Sequence, residues 1–337
     1  MTRPSHSSLP AVVIAMAIVA LSFPAAGQEK YPASPIRLVA GSPAGGSSTD
    51  TFARLLAEKL AIPLGANVLV DNKPGANANI AAEFVARANP NGHTLLFNTS
   101  GVVLSIALGE PLGYKLFTDL APVARFTAVP YVLMVRPTIS ANNVGELIGY
   151  LRSNPDKLTY GSAGTGNATH LGMMMFLEAN KLSALHIPYK GIAPALVDLT
   201  GGRLDFAMSS VVSATPLVKG KRLKAIASTG MLRSSILPEV PTLHESGVTG
   251  FEVSGWYGVM APAKVSPTIV SRLNGEILKL LQDPDTLARL ERLGGQPFGA
   301  TPGEYAAYLS SELQRWSRLV QRGQKDGAGL APSAGAQ

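Results

Sequence analysis

The sequence predicts an α/β protein in two lobes, each a mainly parallel sheet flanked by helices. Three observations carry this. Short β-like runs alternate with stretches of helical periodicity, the pattern of parallel strands covered by helices on both faces. The alternation runs through two successive sets and ends in a mostly helical tail. In each set a strand is followed by a Gly/Ser/Thr-rich loop that opens a helix, the place where ligands bind in such sheets.

In the first set, residues 36–40 (IRLVA) read as a strand and lead through a Gly/Ser loop to a helix over 51–60, with apolar residues at Phe52, Leu55, Leu56 and Leu60. Residues 67–70 (NVLV) are a second strand. A second helix over 80–88 is stopped by the turn signal Asn89-Pro90-Asn91-Gly92, and 94–98 (TLLFN) form a third strand. The second set opens with a strand at 131–135 (YVLMV). It continues with a helix over 144–152, strand 158–160, helix 169–179, strand 184–187, helix 193–199 and strands 205–208 and 223–227. After a strand at 256–260 (WYGVM) the tail is helical over 268–281, 285–293 and 304–322. Residues 323–337, rich in Gly, Ala and Pro, are expected to fray.

A length of 337 residues is too great for one small module and ample for a well-filled core. The absence of cysteine excludes disulfide scaffolds, thiolate zinc sites, iron–sulfur clusters and cysteine nucleophiles. The histidines, His6, His93, His170, His186 and His244, include no H-x-x-x-H pair, and no metal or other cofactor is expected. The net charge is +7, but the densest basic run, Lys219-Gly220-Lys221-Arg222-Leu223-Lys224, has no aromatic residue interleaved. Nucleic acid is therefore not an expected partner, and the positive charge fits small-anion capture or a solvated surface.

Residues 1–27 read as a secretory signal peptide. Arg3 and His6 give a weakly basic start, residues 9–23 are almost wholly apolar, and Ala25-Ala26-Gly27 offers a small-residue cleavage site after Ala26 or Gly27. The apolar run is short for a membrane span. No cysteine follows it, so a lipoprotein anchor is not available. The expected product is an exported, soluble, monomeric periplasmic protein.

Two loops carry the functional expectation. The first, Gly41-Ser42-Pro43-Ala44-Gly45-Gly46-Ser47-Ser48-Thr49-Asp50, lies between a strand and a helix. Glycine lets backbone approach a ligand, the Ser/Thr/Asp cluster suits a helix N-cap, and free amides with the helix dipole favour an anion. No Lys follows the glycines, so this is not a Walker loop. The alternative is an ordinary capped α/β turn. The second loop, Tyr160-Gly161-Ser162-Ala163-Gly164-Thr165-Gly166-Asn167-Ala168-Thr169-His170, has Thr169 where a dinucleotide fingerprint needs its third glycine. One such loop from each lobe describes a cleft that grips an anion from both sides. Ser42, Ala44, Gly45, Gly46, Ser47, Ser48, Thr49 and Asp50 are candidates from the first loop; Gly164, Thr165, Gly166 and His170 are candidates from the second. His170 is open to either ligand contact or packing. Thr99 and Ser100 offer hydroxyls and amides, and Tyr189 a phenol. Asp205, like Asp50, is a poor partner for an anion and better suited to bracing loops. Phe97, Tyr189 and Trp256 are candidate lining aromatics with core packing as the alternative.

Several segments resemble the substrate-binding receptors of tripartite tricarboxylate transporters, the Bug family of periplasmic proteins. The resemblance rests on the opening Tyr31-Pro32-Ala33-Ser34-Pro35-Ile36-Arg37-Leu38-Val39, the Pro-Gly-Gly-type loop from Pro43 to Asp50, and Thr51-Phe52-Ala53-Arg54. It continues in Val70-Asp71-Asn72-Lys73-Pro74-Gly75-Ala76, Asn89-Pro90-Asn91-Gly92-His93-Thr94-Leu95-Leu96, the Tyr160 loop, Pro188-Tyr189-Lys190-Gly191, Gly201-Gly202-Arg203-Leu204-Asp205 and Leu237-Pro238-Glu239-Val240-Pro241-Thr242. The resemblance implies a two-lobed "Venus flytrap" receptor of the type II-like periplasmic binding class, without enzymatic activity. It implies a di-, tri- or aromatic carboxylate held by amides, hydroxyls and waters, and the transporter's membrane subunits as partners. It also implies two crossings between lobes, placed near Val129 and Gly255. Residues 28–129 with 255–337 would form one lobe and 130–254 the other. The chain departs from the family pattern at Ser42, where an aromatic is common, and in having Ser47, Ser48 and Thr49 between the Gly-Gly and Asp50, where two residues are usual. Asn77-Ala78-Asn79 replaces a Gly-rich stretch and His93 a usual Tyr, and these two are expected to be structural.

A same-fold ligand sensor for a signalling system is an alternative that the residues do not separate from transport. A secreted serine hydrolase is the rival from another class. The chain has serines, His170 or His244, and aspartates, but no G-x-S-x-G elbow. His244-Glu245 lacks the second histidine of a zinc protease.

Overall fold

The computed structural model describes Met1, Thr2 and residues 31–45 and 47–325. The expected signal peptide, apart from Met1 and Thr2, lies outside the described residues, as do Gly46 and residues 326–337.

The elements follow the chain as β1 (Ile36–Ala40), α1 (Ser48–Leu64), β2 (Val68–Asn72), a 3-10 turn (Ala76–Ala78), α2 (Asn79–Ala86), β3 (Thr94–Thr99), α3 (Ser100–Ala107), α4 (Leu116–Asp119) and β4 (Leu120–Val135). Then come α5 (Val144–Ser153), β5 (Thr159–Ser162), α6 (Ala168–Ala179), β6 (Leu185–Pro188), α7 (Ile192–Thr200), β7 (Phe206–Ser210), α8 (Val211–Lys219) and β8 (Lys224–Ser228). The chain closes with β9 (Ser254–Pro262), α9 (Pro267–Leu280), α10 (Pro284–Arg292), β10 (Gln296–Pro297) and α11 (Pro302–Lys325).

Each α/β set builds parallel pairings: β1 with β2 and β3, and β5 with β6 and β7. Antiparallel pairings come from the long strands that join the sets. β4 pairs β9 from Leu120↔Pro262 to Pro130↔Ser254, then pairs β7 from Tyr131↔Ser210 to Val135↔Phe206. The change of partner falls at Pro130, whose missing N–H makes it a poor ladder residue. Beside it, Thr229 ties three segments. Its Oγ1 accepts from Tyr131 N (2.8 Å), its N–H donates to Tyr131 O (2.9 Å), and its O accepts from Val253 N (3.1 Å).

The central strands β3, β4, β7 and β9 are buried on both faces, so they read as continuous apolar runs instead of alternating ones. Ile36, Leu38 and Ala40 of β1 and Val132 and Met134 of β4 enter one core cluster. Val39, Leu133 and Val135 enter the other. After β9 the tail helices pack on the first set: α9 against β4 and α1, and α11 against α3 and β4.

Three expectations change in the folded chain. α1 begins at Ser48, not Thr51, because Ser47 caps it by accepting Asp50 N (3.2 Å), so Ser48, Thr49 and Asp50 form its first turn. α3, α4 and α8 are additional helices. Residues 100–105 are all buried, and a helix buried all round shows no amphipathic period. α11 runs to Lys325, past the Gly323 at which fraying was expected.

Candidate ligand-binding cleft

A cavity of about 990 Å³ opens at the carboxyl ends of the parallel strands. Residues 41–43, 47–49, 74–78 and 99–101 line it from the first set, and 163–165, 167–169, 189–192 and Ser210 from the second. Glu110 and Pro111, with Tyr131 and Tyr257 on the joining strands, complete it.

The βα connections explain its chemistry. A helix that follows a parallel strand starts at the strand's carboxyl end, so successive helices aim their N-termini at one place. The caps of α1, α3, α6, α7 and α8 are Ser47, Thr99, Asn167, Gly191 and Ser210, and all five line the cavity. Each start leaves amides without intrahelical acceptors and carries the positive end of a dipole. Lys190, exposed, and Glu110 are the charged residues among the described lining residues. The attraction for an anion therefore comes from oriented amides and hydroxyls.

Of the expected site residues, Ser42, Ser47, Ser48, Thr49, Thr99, Ser100, Gly164, Thr165 and Tyr189 line the cleft. Ser48 Oγ lies 2.6 Å from Tyr257 OH, and burial raises the Tyr257 pKa, so the phenol stays protonated. Ser42 Oγ is buried with no hydrogen-bond partner among the described residues. Tyr189 OH donates to Asp198 (2.7 Å), which leaves its ring for the ligand.

Ala44, Gly45, Asp50, Gly166, His170 and Asp205 are not among the lining residues, and Gly46 lies outside the described ones. Asp50 braces the first loop: it accepts from Gly45 N, Arg54 Nε and Asn72 Nδ2, each at 2.9 Å. Burial alone would raise its pKa, but these hydrogen bonds outweigh burial and lower it. His170 Nδ1 accepts Gly166 N (3.1 Å), and its ring stacks on His186 at 3.9 Å. Burial, with His186 beside it, lowers the His170 pKa to about 3. Asp205 precedes β7 and so stands at the opposite strand ends from the cleft. There it accepts from Arg136 Nε (2.9 Å) and Thr159 N (2.8 Å). Phe97 and Trp256 are core residues, 0% and 1% exposed.

His93 is structural, its Nε2 accepting from Ala33 N (3.1 Å) and Ser34 N (3.3 Å). Asn77 and Ala78 line the cleft, which corrects the expectation that their segment is only structural. Sequence reasoning also missed Tyr131, Asn167, Ser210 and Tyr257 as lining residues. Asn167 and Ser210 carry the signal that was available, a short polar residue between a strand and a helix. Ser162 Oγ and His186 Nε2 are 2.6 Å apart, yet Ser162 is 0% exposed and does not line the cleft, so this pair cannot meet a substrate there. No helix among the described residues is long and apolar enough to cross a membrane.

A sequence profile described as "Tripartite tricarboxylate transporter family receptor" matches residues 52–324. The chain is 36% identical over 308 residues to the "UPF0065 protein in tcbD-tcbE intergenic region" of Pseudomonas sp. (strain P51), covering 91% of each. Among solved structures it is similar to an R. palustris protein with adipate, at 31% identity and TM-score 0.83, covering 86% of this chain and 97% of that one. The periplasmic binding protein BugD matches at 34% identity and TM-score 0.80, covering 87% and 98%. MatC from Rhodopseudomonas palustris with bound malate matches at 31% and 0.78, covering 86% and 99%.

Proposed function

The chain belongs to the tripartite tricarboxylate transporter receptor family, and we propose that it captures a small organic carboxylate in its cleft and delivers it to that transporter's membrane subunits. The observation that carries this reading is the convergence of five helix caps on one cavity whose described lining has a single, exposed lysine. Such a lining suits a carboxylate held by amides and hydroxyls. Adipate and malate in the similar solved proteins support the same class of ligand, with aromatic carboxylates included because three tyrosines, Tyr131, Tyr189 and Tyr257, line the wall.

The mechanism is closure of two lobes, residues 28–129 with 255–337 and residues 130–254, around the ligand. The partner change of β4 at Pro130 supports this division, because only the joining strands must bend there. Ligand contacts made from both sides favour the closed form, which docks on the membrane subunits. Residues 1–27 direct the chain to the periplasm, where it works as a monomer without catalysis.

Mass spectrometry of the molecule retained by the purified mature protein, followed by calorimetry against di-, tri- and aromatic carboxylates, tests the reading. One-to-one binding is expected. Failure of every carboxylate to bind overturns it.

A further inference from the structure

The loop between β2 and α2 carries an unusual backbone. Ala76, Asn77 and Ala78 have φ of 45°, 52° and 73°, directly after Gly75 at 123°. Six non-glycine residues among the described ones have positive φ, and three of them are these neighbours. A Cβ makes that region costly, so the surrounding structure must hold the loop there. It does. Asn79 Nδ2 donates to Ala76 O (2.7 Å), and Tyr114 OH donates to Asn79 Oδ1 (2.7 Å). Gly41 and Gly101 make the space: a Cβ on Gly41 would lie 2.2 Å from Ala78 Cβ, and one on Gly101 would lie 2.5 Å from Asn77 O.

The loop presents Asn77 to the opposite side of the cleft. Asn77 Nδ2 lies 3.5 Å from Ser105 Oγ on α3 and 3.5 Å from Thr165 O in the β5–α6 loop. Beside this contact Leu108 rests on Gly166, where a Cβ would come within 2.2 Å of Leu108 Cδ1. The rim where the two sets meet is thus one amide facing a carbonyl and one leucine seated on a bare glycine.

We propose that Asn77 is a closure latch: its amide, fixed by the left-handed loop, holds the Thr165 carbonyl when the two sides of the cleft come together. The latch rests on the receptor reading above. Non-glycine residues in the loop narrow the unfolded and open conformations it can visit, so Asn77 is already placed when closure occurs. Contacts at 3.5 Å are at the long limit of a hydrogen bond. The latch is therefore weak alone and adds to what a ligand contributes, the behaviour needed for release.

The chain has no cysteine, so Ile62→Cys and Lys181→Cys give two unique spin labels, one on the α1 side and one after α6. Pulsed electron-spin distance measurements are compared with and without Asn77→Gly, in ligand-free protein and with saturating malate and adipate. Glycine suits φ of 52°, which offsets the freedom it adds to the unfolded chain, so the variant is expected to fold with at most a small drop in melting temperature. Its label distances shift toward the open form, and the Kd for a binding probe rises about fivefold. Gly166→Ala, which wedges the same rim, shifts the distances in the same direction. Distances and Kd unchanged in Asn77→Gly overturn the latch, as does opening by Gly166→Ala alone. If neither probe binds and every other carboxylate fails, the receptor reading falls, and the ligand-free distances decide the latch alone.

Discussion

The Ser48 hydroxyl at the start of α1 lies 2.6 Å from the Tyr257 phenol on β9, across 209 positions of sequence. The contact joins a cleft loop to a strand that links the two sets. The Tyr257 ring is held independently, stacked on Phe97 at 5.5 Å with an interplanar angle of 7°. Tyr257→Phe keeps that packing and removes only the hydroxyl. It is expected to cost about 1 kcal/mol of stability and to weaken carboxylate binding a few-fold. Denaturant titration and calorimetry check both, and an unchanged Kd would separate this pair from the ligand grip.

Asp50 does not line the cleft and braces the first loop from behind. Asp50→Ala strands the Gly45 amide and takes one of two acceptors from Asn72 Nδ2, which keeps Ser42 O, for a stability loss of roughly 1–3 kcal/mol. The Kd should rise more than in Arg54→Ala, which removes one exposed partner of the same carboxylate. Equal effects would show that the ion pair, and not the loop brace, is what matters.

The His170–His186 stack gives the protein an acid limit. Unfolded, each ring ionises near 6.5; folded, burial and, for His170, the neighbouring ring lower the values to about 3 and about 4. Between those limits the unfolded chain binds more protons. Stability from this pair is complete above about pH 6.5 and is lost as pH falls toward 4 and then 3, each ring adding a slope of up to about 1.4 kcal/mol per pH unit. Denaturation midpoints at pH 7 and 4.5 test this, and a flat profile would sink it. In the folded protein His170 Nδ1 goes on accepting the Gly166 amide until pH nears 3, so affinity should hold across this window while stability falls.

Glu312 binds both tryptophans of the chain: Trp256 Nε1 at 3.0 Å and Trp316 Nε1 at 3.1 Å donate to its Oε2. Glu312→Ala leaves two buried indole donors unpaired, with an expected cost of about 2–4 kcal/mol and an altered tryptophan emission. Native emission and stability in this variant would contradict the contact.

The α/β class and the strand order along each set were legible because parallel strands and helices differ in hydrophobic period. Ser47, Thr99 and Thr165 were legible because short polar residues after a strand serve a helix start. Asp205 stands at the start of its strand and braces loops, as the sequence indicates, but it was counted among the cleft candidates: sequence marks that a carboxylate adjoins a strand but not which end of the sheet faces the ligand. Asn77 was missed because its role depends on a left-handed backbone that two glycines elsewhere, Gly41 and Gly101, make possible. α3 escaped because it is buried on every side.

By itself the sequence determined the alternation of elements, the polar caps and the absence of thiol chemistry, since all of these are local or compositional. Only the tertiary structure decided that five caps meet at one cavity, that Tyr131 and Tyr257 line it, and that Asn77 faces Thr165. The physical reason is that β4 changes partners at Pro130 and brings together loops far apart in the chain, and no local pattern records that geometry.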